Sequence, residues 1–156
     1  MLAVPVFGGF SLLLMQHKAA IKEQEYKEKQ NERRILIVDD EPDTTAVFQN
    51  ALRDKGFEHV DTINDPLLAL KNFKVGSYDL LIIDIVMPQM DGFGLYEEIR
   101  KIDSEVKVCF ITAYNVNYQA LRAVFPAATS TDDLGCFIRK PVDVDDFIKH
   151  IEAELR

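Results

Sequence analysis

The sequence predicts an α/β fold, a doubly wound sheet of five parallel strands with helices on both faces. Two observations carry that expectation. From Arg33 onward, short apolar runs alternate with amphipathic stretches, which is the pattern of βα units around a parallel sheet. Within that alternation Leu80 to Ile83 and Val106 to Ile111 are continuously apolar, as strands covered on both faces must be.

The runs expected to be strands are Ile35 to Val38, His59 to Ile63, Leu80 to Ile83, Val106 to Ile111 and Cys136 to Ile138. After the first, Thr44, Val47, Phe48, Ala51 and Leu52 fall at helical spacing, and Gly56 supplies a C-terminal stop. Asp65-Pro66 has the form of an N-cap followed by proline at the first helical position. Behind Asp143, a further cap, the stripe Val144, Phe147, Ile148, Ile151 and Leu155 should pack a final helix on the sheet.

The first 31 residues read differently. Met1 to Met15 carries no charge, yet falls short of the ~20 apolar residues a membrane-spanning helix needs. No basic run precedes it and no cleavage site clearly follows, so it matches a secretory signal poorly. A thin or incomplete membrane anchor, with contact through residues 1–16, and a stretch with no folded role both stay open. His17 to Arg34 is charged and free of Gly and Pro, with Glu23 four residues before Lys27 and Glu25 four before Lys29. It is expected to be a solvated helical or frayed linker to a body spanning 32–156. If the segment is an anchor, the lysines after it keep that body in the cytoplasm.

Composition narrows function. The chain has 156 residues, 47% hydrophobic and 28% charged, so one domain with one core is expected. A net charge of −8 repels nucleic-acid phosphates and anionic lipid, and no basic patch offsets it, so direct nucleic-acid binding is not expected. Cys109 and Cys136 each lie in an apolar run and read as reduced core thiols, with no disulfide framework. His17, His59 and His150 lack ligand spacing, which argues against zinc.

In a parallel sheet with right-handed crossovers the carboxyl ends of all strands share one edge, and ligands bind there. The first strand ends in Asp39-Asp40-Glu41, the third in Asp84, the fourth in Thr112 and the fifth in Lys140-Pro141. Three or four carboxylates at one edge repel one another unless a divalent cation or a proton relieves them. Oxygen donors suit Mg²⁺, which takes one or two carboxylates together with water and phosphate oxygens. A lysine and a hydroxyl across from Asp84 suit the oxygens of an incoming phosphoryl group, so the set points to phosphoryl transfer onto a carboxylate. An Asp-Asp-Glu run alone is as often a polar loop or cap, and Thr112 or Lys140 alone is more often structural. Asp84 closing Leu-Leu-Ile-Ile is harder to account for, because a buried acid without a partner is costly.

The motifs VDDE at 38–41, DIVMPQMDG at 84–92, ITA at 111–113 and KP at 140–141 together resemble a response-regulator receiver domain of two-component signalling, standing alone. That resemblance implies a flavodoxin-like sheet in the order 2-1-3-4-5. It implies that Asp84 is the phosphoacceptor, that Asp40, Asp84 and the Val86 backbone carbonyl ligate Mg²⁺, and that Asp39 assists through metal-bound water. Glu41 is a neighbour of less defined role. Thr112 and Lys140 become phosphoryl contacts, Lys140–Pro141 a cis peptide, and Phe137 an aromatic that turns inward as Thr112 moves, although ordinary core packing also explains Phe137. Pro88 and Gly92 shape the loop after the acceptor, Gly92 by its backbone freedom.

The same resemblance implies a sensor histidine kinase or phosphotransfer protein as donor. Because no effector follows Arg156, it also implies output through another protein or the N-terminal segment. The stretch Tyr114 to Gly135 is longer than such domains usually carry, so docking through the fourth helix, last strand and fifth helix does not transfer. Val86 and Tyr114 flank the phosphoryl position with apolar and bulky groups, which predicts slow loss of phosphate. Two other classes compete: a Mg²⁺-dependent phosphohydrolase with Asp84 as nucleophile, and a membrane-tethered interaction module with an inert site. Val86 stands where such hydrolases place an acid, which weighs against the first.

Overall fold

The computed structural model describes residues 7–113 and 136–156. The lengthened segment from Tyr114 to Gly135, and with it the fourth-helix docking surface, lies outside the described residues. The elements run α1 (Phe7–Glu32), β1 (Arg34–Val38), α2 (Pro42–Asp54), β2 (His59–Ile63), α3 (Pro66–Asn72), β3 (Leu80–Asp84), α4 (Gly92–Ile102), β4 (Lys107–Thr112), β5 (Cys136–Arg139) and α5 (Val144–Glu154). The strands form one sheet in the order β2-β1-β3-β4-β5, every pair parallel, as expected. The central strand β3 is buried along its whole length, which accounts for its unbroken apolar run.

Side chains alternate across the sheet and build two core layers. One holds Leu81, Ile83 and Phe110 against Phe73 of the α3 end and Phe93, Leu95, Tyr96 and Ile99 of α4. The other holds Ile35, Ile37, Ile82 and Ile111 against Phe48 and Leu52 of α2 and Phe147, Ile148 and Ile151 of α5. Phe48 and Phe147 stack with ring centroids 4.3 Å apart, fixing α2 against α5. The caps form where the sequence placed them. Asp65 accepts from the amides of Leu67 and Leu68, and Asp143 from those of Asp145 and Asp146. Gly56, just past α2, takes φ +96°, a backbone conformation glycine adopts without penalty.

Three expectations are corrected. Val47 is 54% exposed, and the buried stripe of α2 is Thr45, Phe48 and Leu52, because the helix is rotated so that Val47 points outward. Val144 likewise lies at the exposed edge of the α5 stripe. Cys109 and Cys136 are not separate thiols: β4 and β5 pair them in register, Cα atoms 4.4 Å apart, and a disulfide joins them. Neighbouring parallel strands bring directly paired residues within disulfide range, and that pairing depends on register rather than sequence spacing.

The charged linker is helical as expected, with the Glu23–Lys27 pair closed at 3.2 Å. It is not solvated throughout. Near its end Gln30 is buried and donates to Glu152 Oε1 of α5 at 3.1 Å, and just beyond it Arg33 donates to the Leu155 carbonyl at 3.0 Å. At the other end Phe10, Leu12, Leu13, Leu14 and Met15 are 43 to 72% exposed. No helix among the described residues is long and apolar enough to cross a membrane.

Because Phe147 is fully buried and Val144 is not, the two ends of the α5 stripe should respond differently to truncation. Phe147→Ala is expected to lower unfolding stability by about 3–5 kcal/mol and Val144→Ala by less than about 0.5 kcal/mol, read from urea denaturation midpoints.

Candidate functional site

The carboxyl edge of the sheet gathers the acidic residues as expected. Asp39 and Asp40 follow β1, and Asp84 closes β3, which pairs with β1. One oxygen from each of the three carboxylates lies within 4.8 Å of the others. Asp39 is 1% exposed and Asp84 7%, with Asp40 partly open to solvent. The Asp39 carboxylate is held on both sides: Oδ1 accepts from the Glu41 amide at 2.9 Å and Oδ2 from Lys140 Nζ at 2.8 Å. Lys140 Nζ also stands 3.9 Å from Asp84 Oδ1. Glu41 turns the other way, accepting from the Thr44 hydroxyl at 2.9 Å in the first turn of α2.

The electrostatics follow from crowding. Burial, followed by the charges of Asp39 and Asp40, pushes the Asp84 carboxyl up to about 6, although Lys140 and the Ile85 amide oppose the shift. Burial alone would lower the Lys140 ammonium. Its hydrogen bond to Asp39 and the charges of Asp39, Asp84 and Glu41 outweigh that and raise it. Among the described residues, the cluster of Asp39, Asp40 and Asp84 thus has Lys140 as its neighbouring cation. The donor set is all hard oxygen and short of positive charge, which fits Mg²⁺ and does not fit a thiolate- or imidazole-seeking metal.

β4 and β5 deliver the remaining groups. Thr112, one residue beyond the register partner of Asp84, is buried, and its carbonyl accepts from the Lys140 amide at 2.8 Å. Lys140–Pro141 is a cis peptide, as expected. Phe137 pairs in register with Phe110, ring centroids 6.1 Å apart, on the face carrying α3 and α4. Val86 presents a half-exposed side chain just past Asp84. Tyr114 lies outside the described residues.

Gly92 is required for a different reason from the one expected. Its φ is not positive. A Cβ there would fall on the Asp84 carbonyl oxygen and lie 2.9 Å from Ile85 Cα, so the start of α4 can approach the end of β3 only without a side chain. The Gly92 amide donates to the Ile85 carbonyl at 2.8 Å across that contact. The unusual backbone angle belongs to Gln89, at φ +71° in a tight turn closed by the Met90 amide and Pro88 carbonyl at 2.8 Å.

Asn64, after β2, is a residue the sequence reading missed. Its Nδ2 donates to the Asp39 carbonyl at 2.7 Å and to the Thr45 hydroxyl at 3.1 Å, bracing the loop that carries the first two acids. The second strand end does therefore serve the site, by holding backbone. A polar residue between β2 and the Asp65 cap was the available signal.

The raised Asp84 value has a consequence for stability. A carboxyl whose folded pKa lies above its ordinary 3.8 keeps its proton in the folded state between about pH 4 and 6, so stability falls as pH rises through that window and the full penalty stands above it. Metal-free Asp84→Asn is expected to be roughly 1–3 kcal/mol more stable than wild type at pH 7.5, the difference closing toward pH 4 and shrinking when Mg²⁺ is added. Thermal unfolding across pH, with and without the metal, measures it.

Comparison with known proteins agrees with this arrangement. The family model for the response regulator receiver domain matches residues 35–152. The chain is 31% identical to the chemotaxis protein CheY of Bacillus subtilis over 78% of this chain and 97% of the relative. It is 30% identical to the transcriptional regulatory protein DltR of Streptococcus agalactiae over 79% of this chain and 52% of the relative, so it spans about half the length of that regulator. Among solved structures, a chain of the CheX–CheY–BeF₃–Mg²⁺ complex of Borrelia burgdorferi superposes with a TM-score of 0.61 and 25% identity, over 78% of this chain and 87% of that one. This chain belongs to the response regulator receiver domain family, the phosphorelay module of two-component signalling.

Proposed function

We propose that Asp84 accepts a phosphoryl group in a Mg²⁺-dependent step, and that the resulting acyl phosphate switches a partner-binding face. The observation that carries this is the meeting of Asp39, Asp40 and Asp84 within 4.8 Å, with Lys140 Nζ 3.9 Å from Asp84. Asp40, Asp84 and the Val86 backbone carbonyl would hold Mg²⁺ directly and Asp39 through water. Once bound, the ion supplies positive charge beside the phosphoryl oxygens.

Every other part falls to this chain's own side chains. An Asp84 carboxylate oxygen forms the new P–O bond as the donor's P–N bond breaks, and the departing imidazole of a phosphohistidine takes up a proton. Lys140 is placed to neutralise a non-bridging oxygen, and Thr112 to hydrogen-bond another as the β4 end adjusts. Movement of Thr112 frees room for Phe137 to turn inward toward Phe110, which makes the signal a local charge change read by an aromatic on the adjoining strand. The Borrelia complex, crystallised with BeF₃ and Mg²⁺, supports the same chemistry by analogy.

Storage of the phosphoryl group is favoured over turnover. Position 86 is valine, with no acid to protonate a leaving group, so the chain is a switch rather than a phosphohydrolase. The donor would be a sensor histidine kinase or a phosphotransfer protein, and the recipient of the signal a protein rather than nucleic acid, given the charge of −8.

Intact-mass spectrometry after incubation with acetyl phosphate and Mg²⁺ tests this. Wild type is expected to gain one phosphate, Asp84→Asn none, and chelation of the metal to prevent the gain. Lys140→Ala is expected to slow uptake about 10²-fold. A gain of phosphate by Asp84→Asn would place the acceptor elsewhere.

A further inference from the structure

We propose that the Cys109–Cys136 bond is a redox-responsive cross-link that fixes β5 against β4, and so makes the placement of Lys140 depend on thiol state. Its effect on phosphoryl uptake rests on the acceptor role assigned to Asp84, whereas its effect on β5 does not.

The position of the bond argues for this. β5 is four residues long and, among the described residues, lies at the sheet edge and pairs with β4 alone. Cys136 is its first residue, and the cross-link therefore ties down the end at which the strand begins. The next register pair is Phe110 with Phe137, and two further on Thr112 pairs with Arg139, directly before Lys140. The Lys140 amide is itself held by the Thr112 carbonyl. A strand this short, at an edge, is held by a short ladder and the packing of Phe137 and Ile138, so one covalent bond adds a large share to its anchoring. Both sulfurs sit in the core layer with Ile111, Ile138 and Phe147, away from the acidic cluster, so neither thiol has a place in the phosphoryl chemistry.

The chemistry balances with an external disulfide as oxidant. The thiolate of one cysteine attacks that disulfide, forming a mixed disulfide and expelling one thiolate. The second cysteine thiolate then attacks the sulfur of the first, closing the Cys109–Cys136 bond and expelling the other. Two electrons pass to the external disulfide, and the two protons lost by the cysteines go to the released thiolates. Reduction by a dithiol runs the same steps in reverse. Because both cysteines are buried, exchange requires β5 to open locally.

The test uses the full chain, treated natively with oxidised glutathione or with excess dithiothreitol. Thiol alkylation under denaturing conditions, read by intact mass, counts free cysteines in each sample. Amide hydrogen exchange of residues 136–139 and the rate of phosphate gain from acetyl phosphate with Mg²⁺ are then compared. The expected result is no free cysteine after oxidation and two after reduction, with β5 amides exchanging about tenfold faster or more in the reduced protein. Phosphate gain should slow about threefold or more on reduction. Cys136→Ala should match the reduced form in either buffer. Two free cysteines after oxidation, a bond that native dithiothreitol cannot open, or unchanged β5 exchange would each overturn the proposal, as would an equal, measurable phosphate gain in the two states. Faster β5 exchange with no phosphate gain in either state would uphold the cross-link and reject Asp84 as acceptor.

Discussion

Among the described residues, the carboxylates of Asp39, Asp40 and Asp84 share the carboxyl edge of the sheet with the Lys140 ammonium, and the imbalance between them is the constraint around which the rest of the structure is arranged. Lys140 answers Asp39 at 2.8 Å but stands 3.9 Å from Asp84, so burial outweighs its pull and the Asp84 carboxyl is pushed up to about 6. An edge of this kind would gain from added positive charge, which a doubly charged cation with oxygen preference could supply. Neutralising the site by substitution would relieve that cost, so these charges are held close at the expense of stability.

The scaffold keeps that imbalance in place with few contacts. Asn64 clamps the backbone of Asp39 from the end of β2, the Glu41 amide fixes one Asp39 oxygen, and the Thr112 carbonyl holds the Lys140 amide. Gly92 lets α4 start against the Asp84 carbonyl, setting where the loop after β3 can lie. Phe110 lies on β4, one strand from Asp84, and its register partner Phe137 on β5, two strands away and joined to β3 through β4. A displacement at Thr112 is therefore felt directly by the strand that carries both Phe137 and the start of the lysine loop.

Much of this was legible in the sequence because it is local. Apolar runs mark strands, Asp65-Pro66 and Asp143 mark helix starts, and polar residues closing those runs share an edge once the sheet is parallel. What escaped depends on distant partners. Val47 lay within a plausible stripe, but the rotation of α2 is set by its packing on β1, β2 and α5. Asn64 bonds a backbone carbonyl 25 residues away, a contact with no sequence spacing to announce it. The closeness required at Gly92 comes from another element's backbone. The cysteine pair depends on the register between β4 and β5, and a sequence separation of 27 hides it.

The account stands or falls on whether cation and phosphoryl meet at Asp84 and are felt at Phe137. Solution NMR of the full chain, titrated with Mg²⁺ and then with beryllofluoride as a phosphoryl mimic, reads both directly. Mg²⁺ alone should shift the amides of Asp39, Asp40 and Asp84, and beryllofluoride should add shifts at Thr112 and Lys140 with a change in the Phe137 ring resonances. Shifts scattered away from this edge, or a Phe137 ring that ignores a mimic bound at Asp84, would contradict it.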